Sequence, residues 1–172
     1  MTKKEQKTNF KIYSKYNLEK GGFMISKILV PTDGSKAAKK SVEYAAELAR
    51  QIGAGITIIA VIDKGPLVPL SISGTATPTH LVEPVEDYMR QAAEAYIDEA
   101  EGICSKRKVR TNRVIRTGHP VEEIIKEAEK SKSDLIVIGS RGKSALKAAV
   151  LGSVTFGVIS KETKVPVLVV RK

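Results

Sequence analysis

Short runs of β-branched and aliphatic residues alternate with amphipathic stretches along this chain, and that alternation leaves few folds open. Ile25–Pro31, Ile56–Ile62, Arg110–Arg116, Asp134–Ile138 and Pro166–Val170 read as strands. The segments between them carry apolar residues at helical spacing. Ala38, Val42, Ala45, Ala49 and Ile52 recur after Ser35, a good N-cap, and Gly53 stops that helix. Glu83–Lys108 turns Val85, Met89, Ala92, Ala93, Tyr96, Ala100 and Ile103 inward. Pro120 opens a third helix striped by Val121, Ile124, Ile125 and Ala128, and a fourth follows Gly152 with Val154, Val158 and Ile159 inward. Strict alternation predicts an α/β fold, a single doubly wound parallel five-stranded sheet with helices on both faces. Ligands of such sheets bind beyond the carboxyl ends of the strands, where strand order reverses.

Two loops at those ends look specialised. Pro31-Thr32-Asp33-Gly34-Ser35 follows the first strand. Gly139-Ser140-Arg141-Gly142 follows the fourth, and nine residues later come Gly152 and Ser153. Leu135–Ile138 is continuously apolar, as a parallel strand covered on both faces should be. Glycine lets the main chain approach a ligand that any Cβ would hold off. A strand that empties into spaced glycines and then a helix start presents backbone N–H groups to phosphate. The pattern therefore predicts nucleotide binding. It is not a Walker A loop, because Val137 occupies the position where Gly142-Lys143-Ser144 would require a glycine. No G-x-G-x-x-G follows the first strand either.

Composition narrows the alternatives. A length of 172 residues suits one domain, and 42% hydrophobic with 28% charged residues describes a globular chain. The absence of Trp leaves little for base stacking. The single Cys104 excludes an internal disulfide and a cysteine-rich zinc site, and His80 and His119 are too far apart in sequence to suggest a metal constellation. Net charge is +10, but residues 1–23 hold six lysines against Glu5 and Glu19, so +4 lies there and +6 in the remainder. The remainder is spread out, with Lys106-Arg107-Lys108 the only tight cluster, which reads as a solvated surface and predicts no nucleic-acid partner. Phe10, Ile12, Tyr13, Tyr16 and Leu18 among the leader lysines allow a weak membrane-touching helix. A disordered basic extension is the favoured reading of 1–23, because Ile25 begins the first strand at once, and stable membrane association is not expected. The domain is then 24–172. One cysteine and no export signal predict a cytoplasmic protein. Lys64–Leu81, rich in Gly, Pro, Ser and Thr, reads as a long mobile loop.

G-x2-G-x9-G-S beside an early P-T-D-G-S resembles the universal stress protein family, in its ATP-binding branch. Val61-Ile62-Asp63, Gly118-His119-Pro120, Asp134–Gly139 and Val165–Val170 extend the resemblance over Ile25–Arg171. It implies a strand order of 3-2-1-4-5, with the reversal between strands one and four. Pro31, Thr32 and Asp33 would border adenine and ribose, Asp33 accepting from a ribose hydroxyl, and Val61 would meet the base. Gly139, Ser140, Arg141, Gly142 and Lys143 would line the phosphate approach, and Gly152, Ser153, Val154 and Thr155 would supply amides and hydroxyls. ATP, or AMP, with Mg²⁺ accompanying the phosphates, is the implied ligand. The last strand, Val167–Val170, would pair with its copy in a homodimer. Arg141 stands where relatives often carry histidine, so no histidine role transfers to it.

Plainer roles compete at several positions. Asp33 before Gly34 can make an Asx turn, His119 can cap a helix, Lys143 can be a solvated charge, and Ser144 reads as an N-cap or loop hydroxyl. Outside Asp33 the candidate loops carry no carboxylate to activate water, so a nucleotide-dependent switch is better supported than turnover. A slow ATPase or adenylate-transferring enzyme, and a nucleotide-free interaction module, are the alternatives.

Overall fold

The computed structural model describes residues 24–63, 79–143, 151–161 and 163–171. Residues 1–23, most of the expected 64–81 loop and Ser144 lie outside the described residues, as does the side chain of His80. The elements run β1 (Lys27–Pro31), α1 (Lys36–Ile52), β2 (Gly55–Ile62), α2 (Thr79–Ser105), β3 (Thr111–Thr117), α3 (Pro120–Lys130), β4 (Leu135–Gly139), α4 (Ser153–Ser160) and β5 (Val167–Val170). Every strand pair is parallel and the order is β3-β2-β1-β4-β5. The reversal falls between β1 and β4, where Ile28 pairs with Leu135 and Leu29 with Ile136.

Side chains of the central strands alternate between two apolar layers, as the pleat requires. Ile28, Val30, Ile56 and Ile58 face α1 and α2, meeting Val42 and Ile97. Leu29, Ile59, Ile136 and Ile138 face α3 and α4, meeting Ile124 and Val158. The Ser35 hydroxyl accepts from Ala38 N–H at 3.1 Å, and Gly53 closes α1 at φ 73°, a left-handed conformation that glycine adopts freely. Across the bottom of the sheet, Asp134 accepts from Ser26 N and Oγ and from Lys27 N at 2.9–3.0 Å, tying the start of β1 to β4.

Helical periodicity overreaches at three positions. Ile52, Ile159 and Val85 are 45%, 46% and 40% exposed. Ile52 lies on the last turn of α1, and α4, eight residues long, buries only Thr155 and Val158. The long helix begins at Thr79 rather than Glu83, taking in the end of the expected loop. It ends at Ser105 rather than Lys108, because Lys108 turns to φ 58° and donates to Ser105 O.

Cys104 is fully buried in the layer beneath α2, and burial pushes its thiol up to about 11. The thiolate is the reactive form, so a neutral buried thiol should be inert. Cys104 should resist a disulfide reagent at pH 8 in the native protein and react at once after denaturation. Stoichiometric labelling of native protein would contradict this packing.

Candidate functional site

Because β1 and β4 are neighbours at the reversal, the loops that follow them open into one crevice. It holds a cavity of about 460 Å³. Ile59, Val61, Ile124 and Ile138 form an apolar floor from β2, α3 and β4. Pro31, Thr32 and Asp33 line one side, Gly139, Arg141 and Gly142 another, and Gly152, Ser153, Val154 and Thr155 the start of α4. All the residues expected from the sequence line the cavity except Ser140 and Lys143.

Asp33 holds the two loops together. Its Oδ1 accepts from Ser35 N–H at 3.0 Å, which is the Asx turn, and its Oδ2 accepts from Lys143 N–H at 2.8 Å across the crevice. Carboxylates accept up to about four hydrogen bonds, so both contacts leave capacity for a ligand hydroxyl. A Cβ on Gly142 would stand 2.7 Å from Asp33 Oδ2, so a side chain there displaces the clamp.

The other two glycines serve the protein itself. A Cβ on Gly139 would lie 2.7 Å from the Ala37 carbonyl carbon and oxygen, so this glycine lets the first turn of α1 sit on the end of β4. A Cβ on Gly152 would lie 3.2 Å from Arg141 Cα, and Gly152 N–H donates to Ser140 O at 2.8 Å, folding the two halves of the loop onto one another. Ser140 is buried, and its N–H donates to Val170 O at 2.9 Å. Thr155 donates its hydroxyl proton to Gly139 O at 2.7 Å, tying α4 to β4 rather than offering that proton outward.

Three donors at the start of α4 have no hydrogen-bond partner among the described residues. Its first intrahelical bond runs from Phe156 N–H to Gly152 O, so the amides of Ser153, Val154 and Thr155 have no intrahelical partner. Gly152 occupies the N-cap and supplies no side-chain cap. These amides line the cavity with Arg141, and the helix dipole adds to their attraction for an anion. Lys143 is turned elsewhere: its Nζ sits 3.7 Å from the centroid of the Tyr96 ring on α2 and meets the ring hydroxyl. The same ring covers Gly34.

The floor residues Ile59, Ile124 and Ile138, together with Pro120, read in sequence only as core or as a helix start. Asp63 also lines the cavity, and a signal for it existed, since it lies two residues beyond Val61 on the same side of the chain. A second carboxylate is therefore present where the sequence reading allowed only Asp33. His119 occupies the N-cap of α3, but its side chain makes no capping hydrogen bond. Among the described residues no group of three or more His, Cys, Asp or Glu can hold a metal ion. Nor is any helix among them long and apolar enough to cross a membrane.

Residues 24–171 match the model of the universal stress protein family. Universal stress protein MJ0531 of Methanocaldococcus jannaschii is 32% identical over 155 residues, covering 90% of this chain and 87% of its own. The solved structure of a second protein of that organism, MJ0577, superposes with a TM-score of 0.74 at 29% identity, covering 87% of this chain and 97% of the other. A universal stress protein from Archaeoglobus fulgidus, solved in complex with dAMP, shares the fold with a TM-score of 0.58 at 20% identity, over 85% of this chain and 98% of the other.

Proposed function

The chain belongs to the universal stress protein family, and we propose that its cavity binds ATP and that occupancy acts as a switch in a stress response. The cavity carries this reading. Its volume of about 460 Å³ lies within the range of about 300–1,000 Å³ usual for small-molecule sites. An apolar floor of Ile59, Val61, Ile124 and Ile138 suits a flat base. Asp33 suits a ribose hydroxyl, and Arg141 with the first amides of α4, which have no intrahelical partner, suits a phosphate chain. The Archaeoglobus protein of the same fold supplies a precedent for an adenine nucleotide. AMP would satisfy the floor and Asp33 but use less of the α4 amides. Mg²⁺ entering with the phosphates would draw its oxygen ligands mainly from them and from water.

The same reading makes the protein a cytoplasmic homodimer. Among the described residues β5 hydrogen-bonds to β4 on one side only, and its residues Val167–Val170 are half-buried. Phe156 and Ile159 on α4 add exposed apolar surface, at 62% and 46%. Pairing of β5 with its copy would satisfy an open edge.

Native mass spectrometry of freshly purified protein and calorimetry with ATP and AMP test the ligand. Retained adenine nucleotide, or a saturable heat with ATP, is the expected result; an empty protein silent to both would refute it. Asp63 gives the slow-ATPase reading a second carboxylate, so the bound nucleotide should be followed for hours. No conversion over that time would leave binding alone.

A further inference from the structure

Of the two cations in the described part of the glycine loop, Arg141 lines the cavity and Lys143 does not. Yet Lys143 starts from the cavity wall. Its N–H donates to Asp33 Oδ2 at 2.8 Å, and both Asp33 and the preceding Gly142 line the cavity. From that anchor the side chain runs to α2, where Nζ lies 3.7 Å from the centroid of the Tyr96 ring and donates to the ring hydroxyl. The same ring stands against the first loop. A Cβ on Gly34, at φ 71°, would come within 3.0 Å of three of its carbons. One aromatic side chain of α2 thus touches both loops, and it reaches the second through the Lys143 ammonium.

The main chain of Lys143 is pinned, but its stem is not. Lysine carries a compact charge on a flexible four-carbon chain, and Lys143 is exposed where Tyr96 is half-buried. An exposed cation–ring contact holds such a charge weakly, whereas a charge-assisted bond to phosphate holds it more strongly. How much charge a ligand brings depends on its length. Arg141 and the amides of Ser153, Val154 and Thr155 line the cavity and suit a single phosphate. Two further phosphates add negative charge beyond what one guanidinium offsets.

Given nucleotide binding in this cavity, on which the inference rests, we propose that Lys143 determines specificity for phosphate-chain length. Tyr96 holds the ammonium off the cavity when the site is empty or carries AMP. ATP draws it in by rotation of the side chain, with Asp33 still holding the main chain, and Tyr96 loses its tie to the glycine loop. Such coupling is reciprocal: whatever Tyr96 costs ATP binding, bound ATP costs the Lys143–Tyr96 contact. The long helix α2 thereby registers the triphosphate.

Calorimetric titration with ATP and AMP, on the full chain and three variants, tests this. Lys143→Gln keeps the main-chain bond to Asp33 and should lower the ratio of ATP to AMP affinity about tenfold, the loss of one charge-assisted bond. Tyr96→Phe keeps a ring against Gly34 but removes one hydrogen bond to the ammonium, so the ratio should rise about threefold. In the double variant that gain should vanish, because it acts only through Lys143. A ratio unmoved by Lys143→Gln, or a Tyr96→Phe variant that weakens ATP and AMP alike, overturns the proposal and leaves nucleotide binding standing. A parent chain that binds neither nucleotide removes both.

Discussion

Gly139→Val should destabilise the protein by about 3 kcal/mol, the upper end of what overpacking a tight site costs. The first atom added would lie 2.7 Å from the Ala37 carbonyl group, and backbone at the start of a capped helix has little room to retreat. α1 would have to lift off β4, opening the layer built on Val42 and Ile28. For a chain of this size the loss amounts to about 6–12 °C in melting temperature. Gly55→Val is the control, because a Cβ there would make only an ordinary contact, 3.9 Å from Arg110 O, in a strand that favours a branched side chain. Chemical denaturation of both variants decides the matter. Equal midpoints would show that Gly139 is not a packing glycine.

Asp33→Ala should cut ATP affinity about a hundredfold, with a smaller loss of stability. The substitution removes one acceptor shared by Ser35 N–H and Lys143 N–H, and hydrogen bonds to a charged group are worth about 1.5–3 kcal/mol each. Without it the Gly142–Lys143 turn is no longer held against the first loop, and the proposed ribose contact goes too. Asp33→Asn keeps an acceptor for one amide and should fall between. Calorimetric titration of the three proteins measures the series. Affinity unchanged in Asp33→Ala would detach this carboxylate from the ligand and return it to the Asx turn alone.

Asp33 shows how far sequence reading reaches. A turn role and a ligand role compete on paper, yet one carboxylate has two oxygens, and in the fold one makes the turn while the other spans to Lys143. The glycine loop was legible as a device, but its members divide their labour in a way that spacing does not express. Gly139 accommodates α1, Gly152 accommodates Arg141, and Gly142 clears the Asp33 clamp. Likewise Thr155 looked like a phosphate hydroxyl and proves to donate to Gly139 O. Lys143 was undecided between solvent and phosphate and rests on Tyr96 of α2, a partner 47 residues away.

Strand and helix identity, their alternation and the apolar faces were set within windows of a few residues, because pleat and helical turn are local periods. The glycines and Ser35 announced loop and cap for the same reason, since backbone sterics act on the residue itself. Strand order was legible through family resemblance, and the all-parallel sheet through strand–helix alternation. What a hydroxyl or a carboxylate actually bonds, and which apolar residues make a floor rather than a core, depended on separate segments being laid side by side. Asp33 and Lys143 meet, as do Ser26 and Asp134, only because β1 and β4 are adjacent. Parallel pairing also put the proposed nucleotide cavity at the carboxyl ends of the strands.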